Sequence, residues 1–176
     1  MKLEQIVIRK ISNSDVENLQ EIGKNTFFDT FSADNSKENM ETYLNTKFSL
    51  QQLTEELNNE NSEFYFAELE KQTIGYLKVN TGNSQTEIQD DSSLEIERIY
   101  VLKKFHGKHV GRLLLKKALE IANSRRFESI WLSVWEKNLK AIQFYKRNGF
   151  IEFDKKTFKL GIDLQRDIMM KLKLKK

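Results

Sequence analysis

The segment between Leu94 and Phe150 restricts the fold more than any other part of the chain. Residues 94–102 alternate apolar and charged side chains and then become more apolar, which is typical of a strand. Residues 110–126 repeat apolar side chains at helical spacing, and the apolar run at 129–135 predicts another strand. Strands that alternate with helices indicate an α/β or α+β domain, in which helices cover a central sheet.

The N-terminal half predicts further strands and helices around this segment. The β-branched run at 6–11 predicts the first strand, and residues 63–80 predict two strands joined by the polar turn Glu70–Thr73. Three helix starts are predicted, at a capping box formed by Ser14 to Glu17, near Asn35 or Ser36, and at a second box formed by Ser49 to Gln52. The polar stretch 81–93 predicts an exposed loop, and two closing strands are predicted over 150–161 and 167–174.

Composition excludes several classes of protein. The 176 residues contain no proline-rich or low-complexity linker, so we expect one domain over residues 1–176. Cysteine is absent, which excludes disulfides and thiolate metal sites. No apolar run approaches the roughly 20 residues of a membrane span, and the first ten residues lack a secretory signal. We therefore expect a cytoplasmic protein with no membrane partner.

The net charge of +3 comes from interspersed charges, except in the basic tail at 171–176. Contact with nucleic acid or membrane is one interpretation of this tail. The favoured interpretation is the solvated end of an edge strand, where lysines prevent pairing with other chains. The sequence therefore does not favour a nucleic-acid partner.

A glycine-containing basic loop, residues 106–112, lies between a predicted strand and a predicted helix. The N-terminus of a helix presents unpaired backbone N–H groups, and glycine lets that backbone approach a phosphate closely. A diphosphate site and an ordinary turn with solvated charges explain the loop equally well. His106 and His109 could also suggest a metal site, but no matching carboxylate or cysteine accompanies them, so we expect no metal.

The second motif runs from Asn138 to Phe150, directly after the predicted strand 129–135. Asn138 is placed to cap a helix that ends before Gly149, and Tyr145 lies two helical turns after Asn138. A capping asparagine and a core tyrosine are each common. Their occurrence together after a strong strand is more informative than either residue alone.

These two motifs resemble the signatures of the GNAT superfamily of N-acetyltransferases. The loop resembles the diphosphate signature Gln/Arg-x-x-Gly-x-Gly/Ala, with His106 in place of Gln or Arg and His109 in place of the first Gly. The signature Asn-x-x-Ala-x-x-Phe-Tyr-x-x-x-Gly-Phe is matched at Asn138, Ala141, Phe144, Tyr145, Gly149 and Phe150. Stretches 27–44, 93–101 and 130–138 are similar to PaiA-type spermidine/spermine N-acetyltransferases.

The resemblance implies a single GNAT domain with a mixed central sheet of about six to seven strands and about four flanking helices. It also implies a V-shaped splay between the strands near 94–102 and 129–135. Acetyl-CoA is then the cosubstrate, and the resemblance places it against Ile99, Tyr100, Val101, His106, Gly107, Lys108, His109, Val110, Gly111, Arg112, Asn138 and Tyr145.

The implied reaction moves acetyl from acetyl-CoA directly to a primary amine in a ternary complex. Tyr145 is the expected proton donor to the departing thiolate. Glu97 is the candidate for receiving the amine proton through water, with Glu95 on the same strand face as the alternative. An outward, solvated Glu97 fits the strand alternation well and is the favoured interpretation.

The expected acceptor is a polyamine such as spermidine or spermine, because of the PaiA-type stretches. Such a polycation needs spaced carboxylates, and Asp29, Asp34, Glu38 and Glu41 are candidates, although each also suits a solvated helix face. Acetylation of a protein, a peptide or another small amine remains an alternative, as does a CoA-binding regulatory protein with little turnover. The sequence is also compatible with a homodimer.

Overall fold

The computed structural model describes residues 5–160 and 163–175. Gly161 of the predicted closing strand and Lys176 of the tail therefore lie outside the described residues. The described part forms a seven-stranded mixed sheet in the order β1-β2-β3-β4-β5-β7-β6. This arrangement confirms the predicted fold class, with five α-helices where about four were implied.

The elements follow the predicted order along the chain. The strands are β1 (Ile6–Lys10), β2 (Ser62–Leu69), β3 (Gln72–Asn80), β4 (Ser93–Val101), β5 (Ser129–Trp135), β6 (Ile151–Leu160) and β7 (Asp163–Lys173). The helices are α1 (Val16–Phe31), α2 (Lys37–Lys47), α3 (Leu50–Leu57), α4 (Val110–Ser124) and α5 (Leu139–Arg147).

Two apolar clusters cover the two faces of the sheet. Phe64 and Phe66 of β2 pack with α1, α2 and α3, whereas Tyr65 and Ala67 of the same strand pack with α4 and α5. Alternate residues of a strand point to opposite faces, so one strand supplies both clusters. The sheet is thus a central layer between two layers of helix.

The splay between β4 and β5 is confirmed. The two strands pair in parallel only from Ser93 to Ile96 and from Ser129 to Leu132. Beyond Ile96, β4 remains paired with β3, and β5 remains paired with β7. The facing edges of β4 and β5 therefore separate towards their C-terminal ends and open a cleft in the sheet.

A β-bulge in β4 overturns the simple alternation expected for this strand. Val79 pairs with Ile96 and Lys78 pairs with Arg98, so Glu97 is the extra residue. Strand alternation allowed an outward, solvated Glu97. Glu97 is not solvated: it contacts Lys78, and the bulge brings the neighbouring Arg98 to the same face of the sheet, where Glu97 contacts it too.

Three local predictions were wrong. The box that opens the first helix is formed by Ser12 and Asp15, ahead of a short 3₁₀ turn, and not by Ser14 and Glu17. The 81–93 loop is not fully exposed, because Gln85 is buried and accepts a hydrogen bond from Trp131 Nε1 at 2.6 Å. The tail does not form an edge strand, since β7 lies between β5 and β6.

Three other helix starts were predicted correctly. The side chain of Ser36 accepts a hydrogen bond from the Asn39 N–H and begins α2. The side chain of Ser49 accepts a hydrogen bond from the Gln52 N–H and begins α3. Asn138 Oδ1 accepts from the Ala141 N–H at 3.2 Å and begins α5. Gly149 follows the end of α5 with φ 88°, a backbone conformation that glycine adopts without strain.

Candidate active site

A large cavity, here called the first cavity, lies in the cleft between β4 and β5 and has a volume of about 930 Å³. Its walls come from the end of β4, the loop before α4, and α5. It brings together all but one of the residues expected at the cofactor, namely Ile99, Tyr100, Val101, His106, Gly107, His109, Val110, Gly111, Arg112, Asn138 and Tyr145. The exception is Lys108, which does not line this cavity and lies over the Phe105 ring.

The loop before α4 leaves backbone donors without acceptors. Within the described residues, the amides of Gly107, His109, Val110 and Gly111 have no hydrogen-bond acceptor, and no side chain caps the helix. All four residues line the first cavity. Buried or ligand-facing amides rarely stay unpaired, so this group of donors is suited to an anion at the helix N-terminus.

Two left-handed residues shape this loop. Gly107 has φ 74° and His109 has φ 63°. The backbone geometry that usually favours glycine is therefore kept at His109, although its side chain makes this conformation less favourable. The loop therefore keeps its unpaired amides beside the cavity despite the substitution in the signature.

His106 lines the first cavity, and its ring already bonds to the protein. Its Nε2 lies 2.7 Å from the Val101 carbonyl oxygen, which can only accept. The Nε2–H therefore donates to Val101, and a neutral imidazole then presents Nδ1 as an acceptor. Only the protonated ring can donate from Nδ1 to a phosphate.

Basic side chains line the first cavity beyond those predicted. Lys103 precedes the loop, and Lys140 and Arg147 both lie on α5. The spacing of seven between Lys140 and Arg147 places them on one helix face, a signal that was present in the sequence but not used. Together with Arg112 they give this cavity a positive lining that suits phosphate groups.

A second cavity, of about 430 Å³, adjoins the first one. The two share Thr30, Ile99, Tyr100, Trp135, Asn138, Ala141 and Tyr145. Asn138 and Tyr145, which were predicted to share a helix face, therefore lie at the junction of the two cavities. A molecule in each cavity would meet the other beside these two side chains.

Tyr145 is buried at this junction and packs against two aromatic rings. Its ring is 6% exposed and makes edge contacts with Phe144 and Phe150, the neighbouring aromatic residues of the second motif. Burial raises the pKa of Tyr145, so its hydroxyl stays protonated at neutral pH. That hydroxyl has no hydrogen-bond partner in the part of the chain that the structure describes.

Charged side chains in the second cavity form a compensated cluster. Glu97 contacts Lys78 Nζ at 2.6 Å and Arg98 at 3.3 Å, and Glu56 contacts the same two cations at 2.9 Å and 3.0 Å. Burial alone would raise the pKa of Glu97, but Arg98 and Lys78 lower it to about 2. Glu97 is thus ionised throughout the neutral range.

Glu95 lies beside Glu97, as the shared strand face predicted. Asn80 Nδ2 donates to Glu95 at 3.0 Å and to Glu97 at 2.6 Å. Thr86 also donates to Glu95, through its N–H at 2.9 Å and its hydroxyl at 2.5 Å. Burial raises the pKa of Glu95 in spite of these hydrogen bonds.

The four acidic residues predicted to bind the acceptor do not come together. Asp29 and Asp34 line the first cavity, and Asp34 pairs with Lys137 at 3.3 Å. Glu38 and Glu41 line neither cavity, because α2 packs through Met40 and leaves them exposed. Among the described residues, four carboxylates line the second cavity. Glu95 and Glu97 were predicted from the sequence, whereas Glu56 and Asp167 were missed.

Residues 5–160 and 163–175 contain no group of three or more side chains placed to hold a metal ion. Over the same residues, no helix combines the length and the apolar character needed to cross a membrane.

Comparison with known proteins gives consistent results. Residues 24–150 match the model of the Acetyltransferase (GNAT) family. An uncharacterised N-acetyltransferase of Lactobacillus delbrueckii subsp. lactis is 36% identical over 166 residues, which is 94% of this chain and 96% of the relative. A spermidine N(1)-acetyltransferase of Thermoplasma acidophilum is 26% identical over 149 residues, covering 82% of this chain and 88% of that protein.

Solved structures show the same similarity in three dimensions. The crystal structure of the PaiA N-acetyltransferase from Thermoplasma acidophilum in complex with coenzyme A superimposes with a TM-score of 0.80 at 25% identity. The superposition covers 96% of this chain and 99% of the other.

Proposed function

This chain belongs to the GNAT family of acetyltransferases and is an acetyl-CoA-dependent N-acetyltransferase, and we propose that its acceptor is a polyamine such as spermidine or spermine. The observation that carries the proposal is the meeting of two cavities at Tyr145. The first has unpaired amides and basic side chains; the second is lined by lysines as well as carboxylates, and among its carboxylates Glu95 and Asp167 form no ion pair within the described residues. A diphosphate-bearing donor fits the first cavity and a cationic acceptor fits the second.

Acetyl-CoA suits the first cavity on structural grounds. The four unpaired amides of the loop and the cations Lys103, Arg112, Lys140 and Arg147 match a diphosphate and a further phosphate. The edge of β4 that separates from β5 after Ile96 has room for an extended pantetheine arm. Acetyl-CoA would supply the thioester, whose acyl carbon accepts the amine lone pair as its bond to sulfur breaks.

Tyr145 stabilises the thiolate that departs. Its protonated hydroxyl, free of other partners, can donate a hydrogen bond to the sulfur as negative charge develops there. Because burial raises the pKa of this hydroxyl, complete transfer of its proton to the thiolate requires more free energy than transfer from an exposed tyrosine. We therefore assign Tyr145 the role of hydrogen-bond donor to the thiolate.

The amine proton needs a different acceptor from Glu97. A carboxylate with a pKa of about 2, paired with Lys78 and Arg98, has little affinity for a proton. Glu95 faces the same cavity, and burial raises its pKa. We assign Glu95 as the group that receives the proton, through water.

The carboxylates of the second cavity support a cationic acceptor. Glu56 and Glu97 are already neutralised by Lys78 and Arg98, which leaves Glu95 and Asp167 to face the acceptor. The similarity to the Thermoplasma spermidine N(1)-acetyltransferase supports the same class of acceptor.

A panel of amines tests this function. CoA release would be measured with acetyl-CoA alone and with spermidine, spermine, a monoamine or a peptide amine. We expect polyamines to give the highest kcat/KM. Higher values with a peptide or monoamine would overturn the proposed acceptor, and CoA binding without turnover on any amine would indicate a regulatory protein.

A further inference from the structure

Asp167 is the buried carboxylate of the second cavity that the described protein leaves without a partner. It lies on β7 opposite Trp135 of β5 and opposite Lys156 of β6, and its side chain lines the cavity. Asp167 is 9% exposed, yet within residues 5–160 and 163–175 no group donates a hydrogen bond to its side chain and no cation lies at ion-pair distance.

The charged groups around Asp167 do not compensate it. Lys156 is the cation whose field favours the ionised form, but its ammonium pairs with Glu87 at 3.1 Å. Glu87 and Glu136 oppose ionisation. Burial, with the help of these two acids, raises the pKa of Asp167 to about 6, so the carboxylate is ionised at neutral pH at a cost in free energy.

We propose that the Asp167 carboxylate binds the ammonium group of the acceptor that does not react, while the other amino group of the same molecule lies beside Tyr145. The inference rests on the proposed polyamine acceptor and identifies the residue that would select it. Trp135 lines both cavities and faces Asp167 across the β5–β7 pair, so the second cavity connects the junction at Tyr145 with Asp167.

The physical reason is charge compensation. Glu56 and Glu97 have cations built into the protein, and Glu95 has three hydrogen bonds from Thr86 and Asn80. Asp167 lacks both, so a cationic group that enters the cavity gains a buried, charge-assisted contact. A monoamine that reacts beside Tyr145 has no second ammonium to make this contact.

A matched pair of acceptors tests the proposal. The enzyme would be assayed at pH 7.5, which lies above the Asp167 pKa of about 6, with 1,4-diaminobutane and with 1-aminobutane. We expect the wild-type kcat/KM to favour the diamine, and Asp167→Asn to reduce that preference at least about thirty-fold. The loss should appear mainly in KM for the diamine.

Asp154→Asn is the control variant. Asp154 is an exposed acid on β6 that lines neither cavity, and the same chemical change there should keep the preference for the diamine. If wild type prefers the diamine and Asp167→Asn prefers it equally, Asp167 is not the selecting residue, although the proposed polyamine acceptor stands. If wild type shows no preference, the proposed acceptor fails.

An NMR titration of the Asp167 carboxyl carbon gives a second result that does not depend on turnover. Without amine we expect an apparent pKa of about 6. With saturating 1,4-diaminobutane and CoA we expect a lower pKa, because an adjacent ammonium favours the ionised form. The KM for the diamine should therefore rise as the pH falls through about 6. An unchanged pKa in the presence of diamine would overturn the proposal whatever the kinetic result.

Discussion

The two cavities of this protein achieve binding by different means. The first cavity presents backbone amides from one short loop, supported by cations on the adjacent helix. The second cavity presents charged side chains from α2, α3, β4, β6 and β7, and several of them form ion pairs with one another or with Lys78. We therefore expect a single side-chain substitution in the loop before α4 to reduce binding or stability less than a substitution in the second cavity.

The largest expected effect is on the charge cluster. Replacing Glu97 with Gln leaves Lys78 and Arg98 short of one buried partner, and should lower the free energy of unfolding by about 3–5 kcal/mol. Urea denaturation would measure it. Glu120→Gln, which removes an exposed partner of Lys116 and Lys117, should change stability by less than about 0.5 kcal/mol.

The Glu97 effect should depend on pH. The pKa of this carboxyl is lowered from its ordinary 4.5 to about 2 in the folded protein. Its stabilising contribution is therefore present above pH 4.5 and is lost as the pH falls towards 2. A difference between wild type and Glu97→Gln that grows at low pH would contradict this account.

Tyr145→Phe should give the next largest effect, because it removes the donor at the junction of both cavities. We expect kcat to fall about 10²–10³-fold, with little change in affinity for acetyl-CoA. Tyr76→Phe is the matched control, since the buried Tyr76 hydroxyl has no partner in the described residues and lines neither cavity. Unchanged kcat in a folded Tyr145→Phe variant would remove Tyr145 from the mechanism.

In the first cavity, a substitution that blocks access to the backbone amides should lower CoA affinity more than one that only removes a side chain. A Cβ at Gly111 would come no closer than 3.9 Å to another side chain, so Gly111→Val should fold. Its bulk would hinder close approach of a phosphate to the amides, and we expect CoA affinity to fall at least about tenfold. Calorimetry showing wild-type affinity in this variant would exclude the loop as the diphosphate site.

The smallest effect is expected at His109. If the amides bind the diphosphate, His109→Gly should leave CoA affinity within about tenfold, or about 1.4 kcal/mol. Stability should change little or rise, because glycine adopts φ 63° without strain. A larger loss of affinity, concentrated at low pH where imidazole is charged, would show that the His109 side chain binds phosphate.

The same contrast explains what the sequence could predict. The first cavity comes mainly from short, continuous motifs, so the resemblance of these motifs to the GNAT signatures was enough to predict that Asn138, Tyr145 and the loop lie together. Lys108 was the exception, because side-chain direction in a loop with left-handed residues does not follow from spacing.

The second cavity depends on geometry that the sequence does not encode locally. The contact of Glu97 with its neighbour Arg98 follows from a β-bulge opposite β3, which strand alternation does not predict. Asp167 reaches the cavity because β7, the last strand in the chain, inserts between β5 and β6. Glu38 and Glu41, two closely spaced carboxylates on one helix, were better candidates than Asp167 from the sequence, but they are exposed and line neither cavity.

The most direct test of the account is a steady-state rate measurement in which the concentrations of acetyl-CoA and spermidine are both varied. Two cavities that meet at Tyr145 allow both substrates to be bound at once, and we propose that acetyl then passes directly from thioester to amine. We predict reciprocal plots with intersecting lines, and no release of CoA without amine. Parallel lines with a burst of CoA release before amine is added would indicate an acetylated enzyme and would contradict direct transfer.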